Sequence, residues 1–190
     1  TRLSRGLGDV YKRQPVGFAH IIPKGLDHIL FIVGIFFLSI KLNSLFLQIT
    51  IFTLAHSVTL AMASLGLVNI SPSLVEPLIA ASIVYVAIEN FYSKAINLRR
   101  SLVVFIFGLL HGLGFASVLA EFGLPVQQFI PALIGFNIGV ELGQLSVVFI
   151  LFIGIGYWFN KKNWYRKFIT LPISGIVGLI GSYWFFERIF

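Results

Sequence analysis

The chain has 190 residues, 57% hydrophobic and 11% charged, with a mean hydropathy of +0.94. Soluble domains carry about a quarter charged residues, so the composition excludes one and indicates an integral membrane protein, while long unalternating apolar runs exclude a β-barrel. No cysteine is present, which excludes disulfides and thiolate metal sites, and the net charge of +7 sits in connections rather than forming a nucleic-acid footprint.

Residues 1–14, TRLSRGLGDVYKRQ, carry four cations and no amphipathic period. They read as translated adaptor sequence, a non-native segment set apart from a single transmembrane helical domain at 15–190. Without Arg2, Arg5, Lys12, Arg13 and Asp9 the chain has 10 basic and 6 acidic residues, or +4. The native N-terminus is expected to be missing.

Six spans follow, each near the ~20 residues that a bilayer requires. The first, about 17–40, contains HIIPKGLDHILFIVG: His20, a break at Pro23–Gly25, then Asp27-His28 ahead of an unbroken apolar run. The second, about 44–67, sets Thr53, His56, Ser57 and Ser64 on one stripe. After the turn NISPS comes the third, about 73–96, with Ser82 and Glu89 on one face. The fourth, about 100–122, flanks His111 with Gly108, Gly112 and Gly114, which lets a backbone or a ligand approach closely. FGLP leads into the fifth, about 127–158, where Asn137, Glu141 and Gln144 share a face; the sixth is about 167–187. The expected fold class is therefore all-α, a polytopic membrane bundle of about six transmembrane helices.

Basic residues fall in alternate connections: Lys41; then Lys94, Arg99 and Arg100; then Lys161, Lys162, Arg166 and Lys167. By the positive-inside rule that side is cytoplasmic, which puts both termini outside. Tyr157-Trp158, Trp164-Tyr165 and Tyr183-Trp184 fall at the expected interfaces. FTLAHSVTLA (52–61) and FGLLHGLGFA (107–116) match at four positions, either as a duplication of transporter type or by chance.

His28, His56 and His111 come to similar depth near the midplane, with His20 nearer the outer surface. Taken singly, an intramembrane His or Asn is often interhelical glue worth about 0.6–2 kcal/mol. Glu76, Glu121 and Glu187, near span ends, read as structural or solvated. Asp27, Glu89 and Glu141 are different, because a mid-helix carboxylate costs up to about 3 kcal/mol. No Lys or Arg is expected at matching depth, so the set calls for protons or a metal ion. Imidazole with carboxylate suits Zn, Ni, Co, Mn or Fe, and Met62 as sole thioether argues against Cu(I). A proton relay through the same imidazoles is the other reading.

The segments GLDHILF (25–31), FTLAHSVTL (52–60), IAASIVYVAIEN (79–90), FGLLHGLGFA (107–116) and FNIGVELGQL (136–145) together resemble the HupE/UreJ family of bacterial membrane proteins, in particular its broader, second branch. The resemblance implies a multi-pass protein of the bacterial cytoplasmic membrane associated with nickel or cobalt uptake. Asp27 and His28 match the family's Asp-His pair, and His111 matches its His-Gly motif. Two departures stand out: the His20 to Asp27-His28 spacing is one residue longer, and no second histidine follows His111.

The expected function is a permease for a divalent transition metal (Ni, Co or Zn), with no catalytic residues and no ATP motif. Asp27, His28, His56, His111 and Glu141 would form the metal site; His20, Glu89, Asn137, Ser57 and Gln144 would line the path. The bilayer, the metal ion and a further copy or helix-packing partner are the expected partners. The alternatives are an intramembrane zinc hydrolase, with three histidines, Asp27 and Ser57 around a zinc-bound water, and a non-transporting accessory subunit.

Overall fold

In hydrocarbon a backbone N–H or C=O must find its partner within the chain, and a helix supplies one for every interior residue. A computed structural model describes residues 2–93, 98–114 and 126–190, and no strand occurs among them. Seven helices are described: α1 (Arg2–Ile21), α2 (Leu26–Leu38), α3 (Leu42–Ser64), α4 (Pro72–Tyr92), α5 (Leu98–Gly114), α6 (Val126–Leu151) and α7 (Leu171–Glu187). A π-helical turn, Phe152–Gly156, and a short α stretch, Tyr157–Phe159, prolong α6; another π-helical turn, Arg166–Thr170, precedes α7.

The protein is an all-α membrane bundle. Four helical stretches are long and apolar enough to cross a bilayer: Leu42–Ser64, Pro72–Tyr92, Phe129–Phe159 and Arg166–Glu187. A fifth arises if Arg13–Ile21 and Leu26–Leu38, bent by 68°, count as one broken span. The expected break at Pro23–Gly25 is therefore a sharp one. Residues 2–14, read from the sequence as a segment apart, form the first part of α1. The fourth expected span, 100–122, is described only as the 17 residues of α5, and 115–125, with Glu121, lie outside the described residues.

Two helix pairs pack backbone to backbone through glycine. A Cβ at Gly17 would strike the Phe136 carbonyl, and one at Gly139 the Gln14 carbonyl, so α1 lies directly on α6. On the other side, a Cβ at Gly112 would strike the His56 carbonyl and Thr59 Oγ1, so α5 lies directly on α3. Thr59 adds a 2.7 Å hydrogen bond to the Leu109 carbonyl. Phe31, Phe36, Phe52 and Phe136 are fully buried between these pairs.

Towards the basic end the interior holds polar groups that bond to one another across helices. Arg100, grouped by sequence with the exposed connection, is buried in the first turn of α5. Its guanidinium donates to Glu89 Oε2 and, at 3.2 Å, to Gln48 Oε1. This corrects the expectation that no cation lies at carboxylate depth: the Arg100 stem carries its charge inward instead of snorkelling outward. Asn90 bridges the Gly34 carbonyl (2.8 Å) and Ser174 Oγ (3.0 Å), tying α4 to α2 and α7. Arg166 donates to the carbonyls of Asn90, Phe91 and Ser93, capping the C-terminal end of α4.

Candidate metal centre

Four helices bring the four histidines together. His20 ends α1, His28 opens α2, His56 is the fifteenth residue of α3 and His111 the fourteenth of α5. At 1.5 Å per residue the last two lie roughly 20 Å from the basic ends of their helices. Ring centroids are 4.8 Å apart for His28–His111, 4.9 Å for His20–His28, 5.7 Å for His28–His56 and 6.0 Å for His20–His56. His20 thus belongs to the cluster rather than to a separate outer mouth, because the bend after α1 folds its last turn back against α2. Phe52 stacks on His56 and meets His28 and His111 edge-on, forming the apolar floor.

The hydrogen bonds set the tautomers. Asp27 Oδ1 accepts the His28 backbone N–H at 2.8 Å and its Nδ1–H at 3.0 Å. The Phe107 carbonyl accepts Nδ1–H of His111 at 2.8 Å. Each bond places the proton on Nδ1 and leaves Nε2 as a bare lone pair, the form a metal ion requires. Among the described residues, His28 Nε2, His111 Nε2 and both ring nitrogens of His56 are buried without a hydrogen-bond partner. Orphaned polar atoms of this kind cost about 1–3 kcal/mol each and call for an explanation.

Do the rings fit an ion? Metal–nitrogen bonds of about 2.0–2.1 Å at tetrahedral angles put imidazole centroids roughly 5 Å apart. The observed 4.8–6.0 Å brackets that spacing. The rings nevertheless lie edge to face, and among the described residues no three His, Asp or Glu side chains converge tightly enough to enclose an ion as they stand. The spacing is that of a metal site; the ring directions are not.

A cavity of about 200 Å³ leads from this cluster to one end of the bundle, lined by His20, Asp27, His28 and His111 and, at its mouth, by Glu76 and Arg188. Arg188, after α7, donates to the Glu76 backbone carbonyl at 3.1 Å. Neither residue stands out in the sequence: Glu76 reads there as a structural group in the turn before Pro77, and the two lie at the ends of helices 112 positions apart.

The remaining expected residues lie elsewhere. Glu141 accepts a 2.7 Å bond from Thr50, and Gln144 a 2.9 Å bond from Thr53, so both tie α6 to α3. Asn137 donates to the Leu133 carbonyl and keeps a buried, unpartnered Oδ1. Ser57 donates to the Thr53 carbonyl of its own helix at 2.6 Å. Glu89 belongs to the Arg100 network.

Comparison with known proteins adds one finding. The family described as HupE / UreJ protein matches residues 6–188. No curated protein matches the chain, and no solved structure does.

Proposed function

We propose that this chain, which belongs to the HupE/UreJ family, carries a divalent transition-metal ion of the nickel or cobalt type across the bacterial cytoplasmic membrane. The family is associated with nickel and cobalt transport or accessory roles. The observation that carries the reading is the set of buried ring nitrogens on His28, His56 and His111, from three helices, that have no partner among the described residues; His28 and His111 line one cavity and His56 packs against His28. Asp27 serves as the carboxylate behind His28, raising its basicity as a ligand. His20 completes the imidazole set.

The cavity volume bears on how the ion arrives. A space of about 200 Å³ has room for several waters, so an ion could enter it with part of its hydration shell. Glu76 offsets the Arg188 cation at the mouth, Asp27 adds negative charge deeper in, and descent to the histidines would exchange water for imidazole. Beyond the site, Asn137, Gln144 and Glu141 lead along α6 towards the basic end, which we assign to the cytoplasm. The Glu89–Arg100–Gln48 group closes that end. The hydrolase alternative is less well supported, because Ser57 commits its proton to Thr53.

Uptake into proteoliposomes, with nickel, cobalt and zinc each tested with and without a pH gradient, checks the reading. At least one metal is expected to accumulate, and His28→Ala or His111→Ala is expected to abolish accumulation while leaving membrane insertion intact. If wild-type protein neither accumulates any of the three nor binds one by calorimetry at neutral pH, the proposal fails.

A further inference from the structure

At the end of the bundle opposite the histidines, a second cavity of about 420 Å³ lies between the α2–α3 turn and the α6–α7 turn. Its polar wall holds Lys41, Asn160, Tyr165 and Arg166, and its apolar wall includes Phe37 and Ile40. The charged side chains on its wall, Lys41 and Arg166, are both cationic, and no Asp or Glu occurs in 28–75 or 142–186, the stretches that contribute both walls.

Arg166 is held in place by the α4 carbonyls it caps, so the cation is fixed at the cavity rather than free to swing away. Tyr165 is 7% exposed, and burial pushes its phenol up to about 12, so it stays a hydrogen-bond donor. Trp158 and Trp164 flank the turn, as aromatic residues do at headgroup level. A pocket that joins two cations and neutral donors to an apolar wall at this level matches one ligand class: a phosphodiester attached to acyl chains.

We infer that this cavity binds the headgroup of an anionic glycerophospholipid, with Lys41 and Arg166 facing the phosphate and Phe37 and Ile40 against the first carbons of the chains. Basic pockets between transmembrane helices recognise anionic lipids in this way. Arg166 contributes its fixed positive charge, its Nη groups being bonded to the α4 carbonyls, while Lys41 supplies ammonium donors for the phosphate oxygens. The lipid would join the α2–α3 and α6–α7 turns at the membrane surface.

The test is fluorescence quenching in bilayers by brominated phosphatidylglycerol against brominated phosphatidylcholine. A Trp184→Phe background leaves Trp158 and Trp164, both beside the cavity, as the reporters. Phosphatidylglycerol is expected to bind more tightly, and Lys41→Ala to weaken that preference roughly fivefold, the effect of removing one cation near an anionic lipid. The double variant Lys161→Ala/Lys162→Ala, outside the cavity wall, is expected to leave the preference within twofold. Equal quenching by the two lipids would overturn the inference. So would a Lys161/Lys162 effect as large as that of Lys41, since it would mark diffuse surface attraction. Displacement of the brominated lipid by millimolar inorganic phosphate would assign the site to free phosphate and also overturn it. Lipids retained in native mass spectrometry give a second readout: loss of phosphatidylglycerol adducts in Lys41→Ala supports the pocket, and unchanged adducts count against it.

Discussion

Replacing Asp27 by Asn separates the two things its carboxylate does. In the structure Oδ1 both fixes the start of α2, through the His28 backbone N–H at 2.8 Å, and holds the His28 ring by Nδ1–H at 3.0 Å. An amide oxygen accepts the same two bonds, so Asp27→Asn keeps the ring and its tautomer in place and removes only the negative charge. The charge makes Nε2 a better ligand, and losing a carboxylate behind a metal-binding imidazole typically weakens the metal 10- to 100-fold. At about 1.4 kcal/mol per factor of ten, that is about 1.4–2.8 kcal/mol. Asp27→Ala removes the orientation as well, and belongs at or beyond the upper end of that range. The assay is calorimetric titration of purified protein with nickel, cobalt and zinc, alongside His28→Ala as the loss-of-ligand reference. Should Asp27→Asn and Asp27→Ala both bind within twofold of wild type while His28→Ala does not bind, Asp27 has no part in tuning the ligand. Should His28→Ala bind normally, the site itself is misassigned.

Further outcomes follow from the packing. Arg100→Ala leaves Glu89 without its cation in the interior; breaking a buried pair costs about 3–5 kcal/mol, and the partial exposure of Glu89 places the loss near the lower figure. Adding Glu89→Gln should recover most of it, measured by equilibrium unfolding in mixed micelles, and an unaffected single variant would contradict the buried pairing. Gly112→Ala forces α5 away from the His56 carbonyl and Thr59, and overpacking of that sort costs about 1–3 kcal/mol. The same unfolding assay checks it, and metal affinity is expected to fall with stability because His56 and His111 sit on the two helices that this contact holds together. Thr53→Val removes the bond to Gln144 and should cost about 0.6 kcal/mol, at most about 1.7, as single interhelical bonds in membranes do. A larger loss in unfolding free energy would mean that Thr53 supports more than that bond.

Much of the bundle was legible because lipid imposes simple rules. Apolar runs of fixed length became helices, and Pro23 with Gly25 marked the break within one turn of its observed place. The histidines were legible as a set because His28, His56 and His111 fall at similar depth on different helices. What the sequence hid were contacts made sideways. Arg100 looks like one more cation in a basic connection, since hydropathy along one dimension cannot say that its stem turns inward to Glu89. Glu141 shares a helix face with Asn137 and Gln144, but which neighbouring helix that face meets depends on packing, and it meets Thr50. His20 seemed nearer the surface because a span read as straight puts it a turn or more above His28; the 68° bend removes that separation.

The two glycine contacts described above have a mechanical meaning. Backbone laid on backbone leaves no side chain to slide over, so α1 with α6 and α3 with α5 each behave as a stiff plate. His20 is mounted on one plate, His56 and His111 on the other, and His28 on the short helix hinged between them. The histidines therefore straddle a seam, and the distance between ligands changes whenever the plates tilt. An ion gripped by imidazoles from both sides would act as a rivet across that seam, added to the Thr50–Glu141 and Thr53–Gln144 hydrogen bonds that already span it.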